Sequence, residues 1–423
     1  MDVLNVVFEA IIGFFRNPPF LLGFIAIAGL ALLRKPIDQI LKGGFLAAFG
    51  MFIIGFGVDV LVGSILPLNI LYQGLYSSTD AAPGLGVAAY TEAYGSVVGL
   101  AMLAGFVLHL LIARFTRIKT IFLTGHFLYW MPFIFVAVAV GAGFTNELAI
   151  IVWGGVLSAL YWSFMPYFLR PFVRDVIGDD SFTLGHPSGF LALVSGTVAR
   201  YVGDKSKSTE DLKIPKSLGF FREVSITGSI VIFISFIISG LLIGSFNDQN
   251  LVTYSLTQGL QFGVGLIILL QGVRMLINEI VPAFEGISAK LIPNAQPAYD
   301  CPLLFTYKPN ALLIGFVVAM IVSTGLIIVS NATNLFGVFL IPLIITSFFE
   351  CGTAAIVAEG QGGLRGAVVG TAVAAAAMVL VLGLSLSVFQ PTIQDWMLIF
   401  GGNDMSLWGV VTNLFAGLLS GIL

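Results

Sequence analysis

GFGVDVLVGSILP, residues 55–67, and LQGVRMLINEIVP, residues 270–282, are one segment written twice, 215 positions apart. Gly57 falls on Gly272, Val58 on Val273, Leu61 on Leu276, Ile65 on Ile280 and Pro67 on Pro282; upstream, Gly44 falls on Gly259 and Gly50 on Gly265. Apolar matches arise easily by chance in a chain this apolar. Glycine and proline matches in register do not, so the pair reads as an internal repeat.

Outward from these two segments, continuously apolar runs of about the length that a helix needs to cross a bilayer recur along the chain. Eleven spans are expected, near residues 17–33, 43–66, 93–113, 127–146, 148–167, 225–245, 256–280, 311–330, 336–349, 366–390 and 407–423. Five spans separate the two copies, and an odd number reverses direction across the membrane. The expected fold is therefore an all-α polytopic membrane protein built as an inverted repeat: residues 1–222 as one half, 223–406 as the other, and 407–423 as a final helix. Transporters often take this form, with the substrate near the midplane between the halves and interrupted helices around it. Two segments fit the interrupted role. FTLGHPSGFLALVSGTVA (182–199) and the stretch around FFECGTAAIVAEGQGGLRG (348–366) are short and glycine-rich, and read as re-entrant hairpins or, alternatively, as cytoplasmic loops with interfacial helices.

Composition agrees. Of 423 residues, 58% are hydrophobic and 10% charged, against about a quarter charged in soluble chains. A barrel would alternate apolar and polar residues at period two, and these runs do not. Lys and Arg fall in alternate loops, at Arg34, Lys35 and Lys42, at Arg114, Arg117 and Lys119, at Arg170 and Arg174, and from Arg200 to Arg222, whereas 67–92, 246–255 and 391–406 carry none. Positive charge marks the cytoplasmic side, so the N-terminus is expected outside and the C-terminus inside a bacterial inner membrane. Arg16 to Pro19 interrupt the first apolar run, so no cleaved signal peptide is expected. Cys301 and Cys351 read as buried thiols.

Charged residues inside apolar runs require a partner or a function. Asp59, Arg274 and Glu279 are such residues. Asp59 and Arg274 occupy the same place in the two copies, and two readings are open, a salt bridge between the halves or contact with a substrate. His126 and His186 each follow a glycine, and a neutral imidazole can donate and accept a hydrogen bond at once, as a ring of sugar hydroxyls requires. Asp300, in PAYDCP, accepts hydroxyls or caps a helix. His109, mid-helix, reads as a packing residue. No HExxH, CxxC or GxxxxGK[ST] occurs, so neither a metal site, a nucleotide site nor a cofactor is expected.

The run QGVRMLINEIVPAFEGISAKLIPNAQPAYDC (271–301) resembles the signature of the L-ascorbate-type permease subunit, enzyme IIC, of the bacterial phosphoenolpyruvate:sugar phosphotransferase system. LLRK (32–35), RIKTIFLTGH (117–126), LYW (160–162), LGH (184–186), EDLKIPKSL (210–218) and YKPNA (307–311) agree in order. The resemblance implies an eleven-helix homodimer, inward carriage of sugar by an elevator-like shift of a core domain against a scaffold, and phosphorylation by the soluble partners IIB and IIA, with no phosphorylated residue on this chain. His126, His186 and Asp300 match the family's substrate contacts. Two amides of that family are replaced here by Trp130 and Pro187, and its serine by Val58, beside Asp59. A site lacking those amides rejects ligands that need them, so the cargo reads as ascorbate-like, a sugar acid or a polyol, with Asp59 and Trp130 as further contacts; Trp130 reads equally as a core aromatic.

Two other classes remain open: an ion-coupled carrier using Asp59 or Asp300, and an intramembrane enzyme using His126 and His186. Dependence on soluble phosphorelay proteins separates the first from group translocation, and product formed by the chain alone would mark the second.

Overall fold

A computed structural model describes residues 18–75, 86–212, 223–243, 249–338 and 340–419. Its helices are α1 (Pro18–Leu32), α2 (Ile37–Leu75), α3 (Gly86–Phe115), α4 (Gly125–Gly141), α5 (Glu147–Ile177), α6 (Gly189–Val202), α7 (Val224–Ile243), α8 (Leu251–Lys290), α9 (Pro302–Phe305), α10 (Pro309–Thr333), α11 (Ile344–Thr346), α12 (Gly352–Phe389), α13 (Gln394–Phe400) and α14 (Asp404–Leu419). Six stretches are long and apolar enough to cross a membrane: 37–68, 89–115, 147–177, 251–280, 309–333 and 344–389. Five further apolar helices are shorter, at 22–32, 125–141, 189–202, 225–241 and 404–419.

The two copies of the repeated segment lie on α2 and α8, which pack against one another. A Cβ added at Gly57 would stand 2.5 Å from the amide nitrogen of Leu269, and one at Gly272 would stand 2.6 Å from that of Ile54. Gly50 meets Leu276 N at 2.7 Å, and Gly265 meets Leu61 N at 2.9 Å. Exchanging the two copies turns each contact into the other. The crossing is therefore antiparallel and two-fold symmetric, and its four glycines sit where small residues let membrane helices approach backbone to backbone.

The span expected at 336–349 is irregular, because Asn334 and Gly337 turn the chain at positive φ and the Asn331 amide takes both backbone groups of Leu340, at 2.8 and 2.9 Å. Helix resumes at Ile344, passes through a π-helical turn at Ser347–Cys351, and breaks at Gly362 (φ −152°) and Gly363 (φ 59°) inside α12. Beyond the break, Gly370 returns to Ala358, whose Cβ would lie 3.1 Å from a Cβ at that glycine. A straight helix would separate these two residues by about 18 Å. The second hairpin thus starts earlier than its glycine-rich stretch suggests, and its return limb is the apolar run expected at 366–390.

The tip of this hairpin is joined to the end of α6. Asp204 N donates to Gly362 O at 2.8 Å and Leu364 N to Lys207 O at 2.7 Å. Buried Glu359 accepts from Ser208 Oγ at 2.5 Å and pairs with Lys308 Nζ at 3.0 Å. Glu210 accepts the amides of Asn310 and Ala311 in the first turn of α10, where helix N–H groups have no internal partner. Of the stretch read as an aqueous loop, 200–202 close α6, 203–212 form this joint, and 213–222 lie outside the described residues.

Candidate functional site

Three very short strands organise the site. β1 (Thr120–Phe122) and β2 (Thr183–Leu184) flank β3 (Gln296–Tyr299), all parallel, in the order β1-β3-β2. Parallel strands share one C-terminal edge. β1 runs through Leu123, Thr124 and Gly125 into His126, β2 through Gly185 into His186, and β3 directly into Asp300.

The glycine before each histidine has a steric reason. A Cβ at Gly185 would stand 2.8 Å from Ala298 O, and one at Gly125 would enter the side chains of Leu22 and Met51. Irregular backbone at membrane depth also needs its polar groups satisfied. Leu123 N and Gly185 N donate to Ala298 O and Tyr299 O, and the Gln296 amide donates to Asp180 O and Phe182 O. At the sheet edge Phe122 N donates to His109 Nε2 at 3.0 Å, leaving His109 Nδ1 to donate to Ser163 Oγ at 2.8 Å. His109 is wholly buried and serves this edge, in keeping with a packing role.

His126 Nε2 lies 3.9 Å from Asp300 Oδ2, and His186 Nε2 lies 3.8 Å from Asp300 Oδ1. Both gaps exceed a direct hydrogen bond of about 2.7–3.2 Å. A hydroxyl oxygen bridging imidazole and carboxylate from the cavity side would reach both at ordinary hydrogen-bond length. His186 Nδ1 accepts from Ser188 N at 3.1 Å, so in the neutral ring the proton is on Nε2, facing Asp300. Asp300 Oδ1 also accepts from Cys301 N at 2.8 Å, while Oδ2 is turned to His126; the helix that follows has no side-chain cap.

These groups open on a cavity of about 600 Å³ that Asp59 and Trp130 also line. Trp130 stacks on Trp396, ring centroids 4.9 Å apart, and meets Phe133 edge-on. It is both packed and at the cavity wall. The structure thus brings His126, His186, Asp300, Asp59 and Trp130 to one cavity.

The expected pairing of Asp59 with Arg274 is not present: no ion pair joins them among the described residues, and Arg274 is exposed. The crossing explains why. The register that sets Gly50 against Gly272 to Leu276 and Gly57 against Gly265 to Leu269 places Asp59 level with residues 263–267, about 10–16 Å along α8 from Arg274. Symmetry-related positions meet only on the axis, and these two lie away from it on opposite sides.

Two acidic groups at the site were not anticipated. Glu350, on the π-helical turn, lines the cavity at 5% exposure; Asn403 donates to its Oε1 at 2.7 Å, and its Oε2 has no hydrogen-bond partner among the described residues. Asn403 is itself fixed by Phe400 O and Met405 N. π-turns recur at functional sites because they displace one residue out of helical register. Behind it, buried Asp404 accepts from Phe190 N at 2.6 Å, at the start of α6, and from Tyr161 Oη at 2.7 Å, anchoring the first hairpin. Glu350 is an acid inside an apolar run, the signal that singled out Asp59; Asp404 carries no such signal. The ligating atoms of His186, Asp300 and Cys301 lie within 4.8 Å of one another, but Cys301 is wholly buried and does not line the cavity.

Residues 13–410 match the model of the EIIC-GAT family, described as a PTS system sugar-specific permease component. The ascorbate-specific PTS system EIIC component of Mycoplasma pneumoniae (strain ATCC 29342 / M129) is 24% identical over 464 aligned residues, which cover 95% of this chain and 69% of that protein.

Proposed function

We propose that this chain, which belongs to the EIIC-GAT family of PTS sugar-specific permease components, binds a carbohydrate at His126, His186 and Asp300 and carries it inward for phosphorylation by a separate EIIB protein. The observation that carries this reading is the convergence of three parallel strand ends on one cavity, each delivering one hydrogen-bonding side chain. The chain supplies binding and passage. Phosphoryl transfer belongs to the partner.

Adjacent hydroxyls of a sugar fill the two gaps around Asp300: His186 Nε2–H donates to one, Asp300 Oδ2 accepts from another, and His126 completes the set. The aromatic wall, with Trp130, covers an apolar face of the ring. Movement is elevator-like. The tied hairpins travel as one body because Glu359, Lys308, Ser208 and Glu210 join their tips to α10, while the glycine crossing of α2 and α8 stays fixed. Exposed Phe45, Phe49, Phe52 and Phe56 form an aromatic ridge on α2 that suits the interface of a homodimer. The N-terminus lies outside, and the Lys- and Arg-rich stretch 200–222 lies on the side that receives EIIB.

Binding measured by calorimetry on purified protein in nanodiscs, with L-ascorbate, pentitols and hexitols as probes, tests the site. His126→Ala, His186→Ala and Asp300→Asn are each expected to abolish binding in folded protein. Binding retained in all three variants overturns the assignment.

A further inference from the structure

The charge on the cavity wall distinguishes classes of cargo. Three carboxyl side chains line it, Asp59, Asp300 and Glu350, and among the described residues no Lys or Arg does. The groups there that can turn positive are His126 and His186, and both already face Asp300, at 3.9 and 3.8 Å. Arg274, the basic residue within the repeated segment, is exposed and displaced along α8 as described above. Glu350 adds to the acidic side and is fixed there: Asn403 holds one carboxyl oxygen, the other has no partner, and the residue is 95% buried by its 5% exposure. An anion entering this space meets acceptors without a counter-charge, and removal from water leaves its charge uncompensated. A neutral polyhydroxy compound meets the opposite situation, since each hydroxyl is a donor for a carboxyl oxygen and an acceptor for an imidazole N–H. The residues at 130 and 187 point the same way. Trp130 has a single N–H donor and Pro187 has none, so neither reproduces the paired donors an amide offers an anionic edge.

We infer that the cargo is an uncharged sugar or alditol rather than a sugar acid or other anion, and that Glu350 is one of the residues that impose this choice. The inference rests on the reading of the cavity as a carbohydrate site.

The test uses matched compounds: D-sorbitol against D-gluconate, and L-gulono-1,4-lactone against L-ascorbate, titrated at pH 7 into the full chain in nanodiscs. The uncharged member of each pair is expected to bind at least about tenfold more tightly. Glu350→Gln is expected to narrow that ratio by about threefold or more, since the amide keeps hydrogen bonding to hydroxyls and removes the acid. Should Glu350→Gln not give monodisperse protein, Asp59→Asn is read by the same ratio. Tighter binding of the anion in either pair, lost in His126→Ala, overturns the inference and leaves the carbohydrate site standing. A ratio unchanged in Glu350→Gln removes Glu350 from the selection. Binding of none of the four compounds overturns the carbohydrate reading and the inference together.

Discussion

The crossing of α2 on α8 and the body built from the two hairpins differ in how many specific polar pairs they carry. At the crossing the backbones touch through Gly50, Gly57, Gly265 and Gly272, with contacts that repeat under exchange of the halves. In the hairpin body backbones also touch through glycine, at Gly203, Gly362 and Gly370, but individual polar pairs are added: two strands come from the first half and one from the second, and Glu359, Glu210, Asp404 and Glu350 each have their own partners. A surface that packs by shape tolerates sliding of whatever lies against it. A network that pairs specific atoms does not, and so it is the part suited to hold a cargo in one geometry.

The largest expected effect is therefore in the hairpin body. Asp300→Asn and His186→Ala should each weaken sugar binding by roughly a hundredfold or more, since each removes hydrogen bonds to charged or polarised groups worth about 1.5–3 kcal/mol apiece, while thermal unfolding of the protein shifts little. A variant that loses stability and binding in proportion would make these residues part of the scaffold. Next in size is the joint. Lys308→Ala leaves the buried Glu359 carboxylate without its cation, which should cost about 2–4 kcal/mol, below the fully buried case because Lys308 keeps some contact with water. Lys308→Ala combined with Glu359→Gln should recover most of that loss in denaturant or thermal unfolding.

The same contrast decides what could be read from the residues alone. A repeated segment leaves an offset in the sequence, so the symmetric pair of helices was visible from Gly57 and Gly272, Pro67 and Pro282. The strands TIF, TL and QPAY are two to four residues long, too short for any periodicity, and only the glycines before His126 and His186 hinted that backbones converge there. Apolarity suggested a span at 336–349 because hydropathy does not register an asparagine side chain pairing with Leu340. The break at Gly362 and Gly363 lay inside the stretch read as a hairpin, but a glycine pair by itself does not say which way the chain turns. Glu350 was legible by the rule applied to Asp59. Asp404 was not, since an acid in a loop is unremarkable until the fold sets it against the first turn of α6.

Glycines at the crossing supply a smaller and two-sided effect. Gly57→Ala should destabilise by about 1–3 kcal/mol, because its methyl meets the backbone of Leu269 at 2.5 Å and backbone cannot rotate aside. Gly55 and Gly63, on the same helix, have nothing within 4 Å of an added Cβ. Gly55→Ala and Gly63→Ala should leave stability unchanged or raise it by about 0.4–1 kcal/mol through the less flexible unfolded chain. Equal effects at Gly57 and Gly55 would mean that α2 does not meet α8 through this face.

The smallest expected effect is the most direct check on the register of that crossing. Asp59 and Arg274 look like partners when the two copies of the segment are written one above the other, and a buried pair broken on one side would cost about 3–5 kcal/mol. In the antiparallel register fixed by the four glycines they are separated by about 10–16 Å along the helices, and Arg274 is exposed. Arg274→Gln should therefore change unfolding free energy by no more than about 0.5 kcal/mol, as for a surface substitution. Asp59→Asn and Arg274→Gln should combine additively to within about 0.5 kcal/mol, as for residues without shared partners. A coupling of 2 kcal/mol or more in that double-mutant cycle would require the two side chains to touch, would shift α8 along α2 by about two to three turns, and would break the symmetric contacts of the crossing. Additivity leaves Asp59 to act on the cavity alone, where its effect is read in the choice of cargo and not in stability.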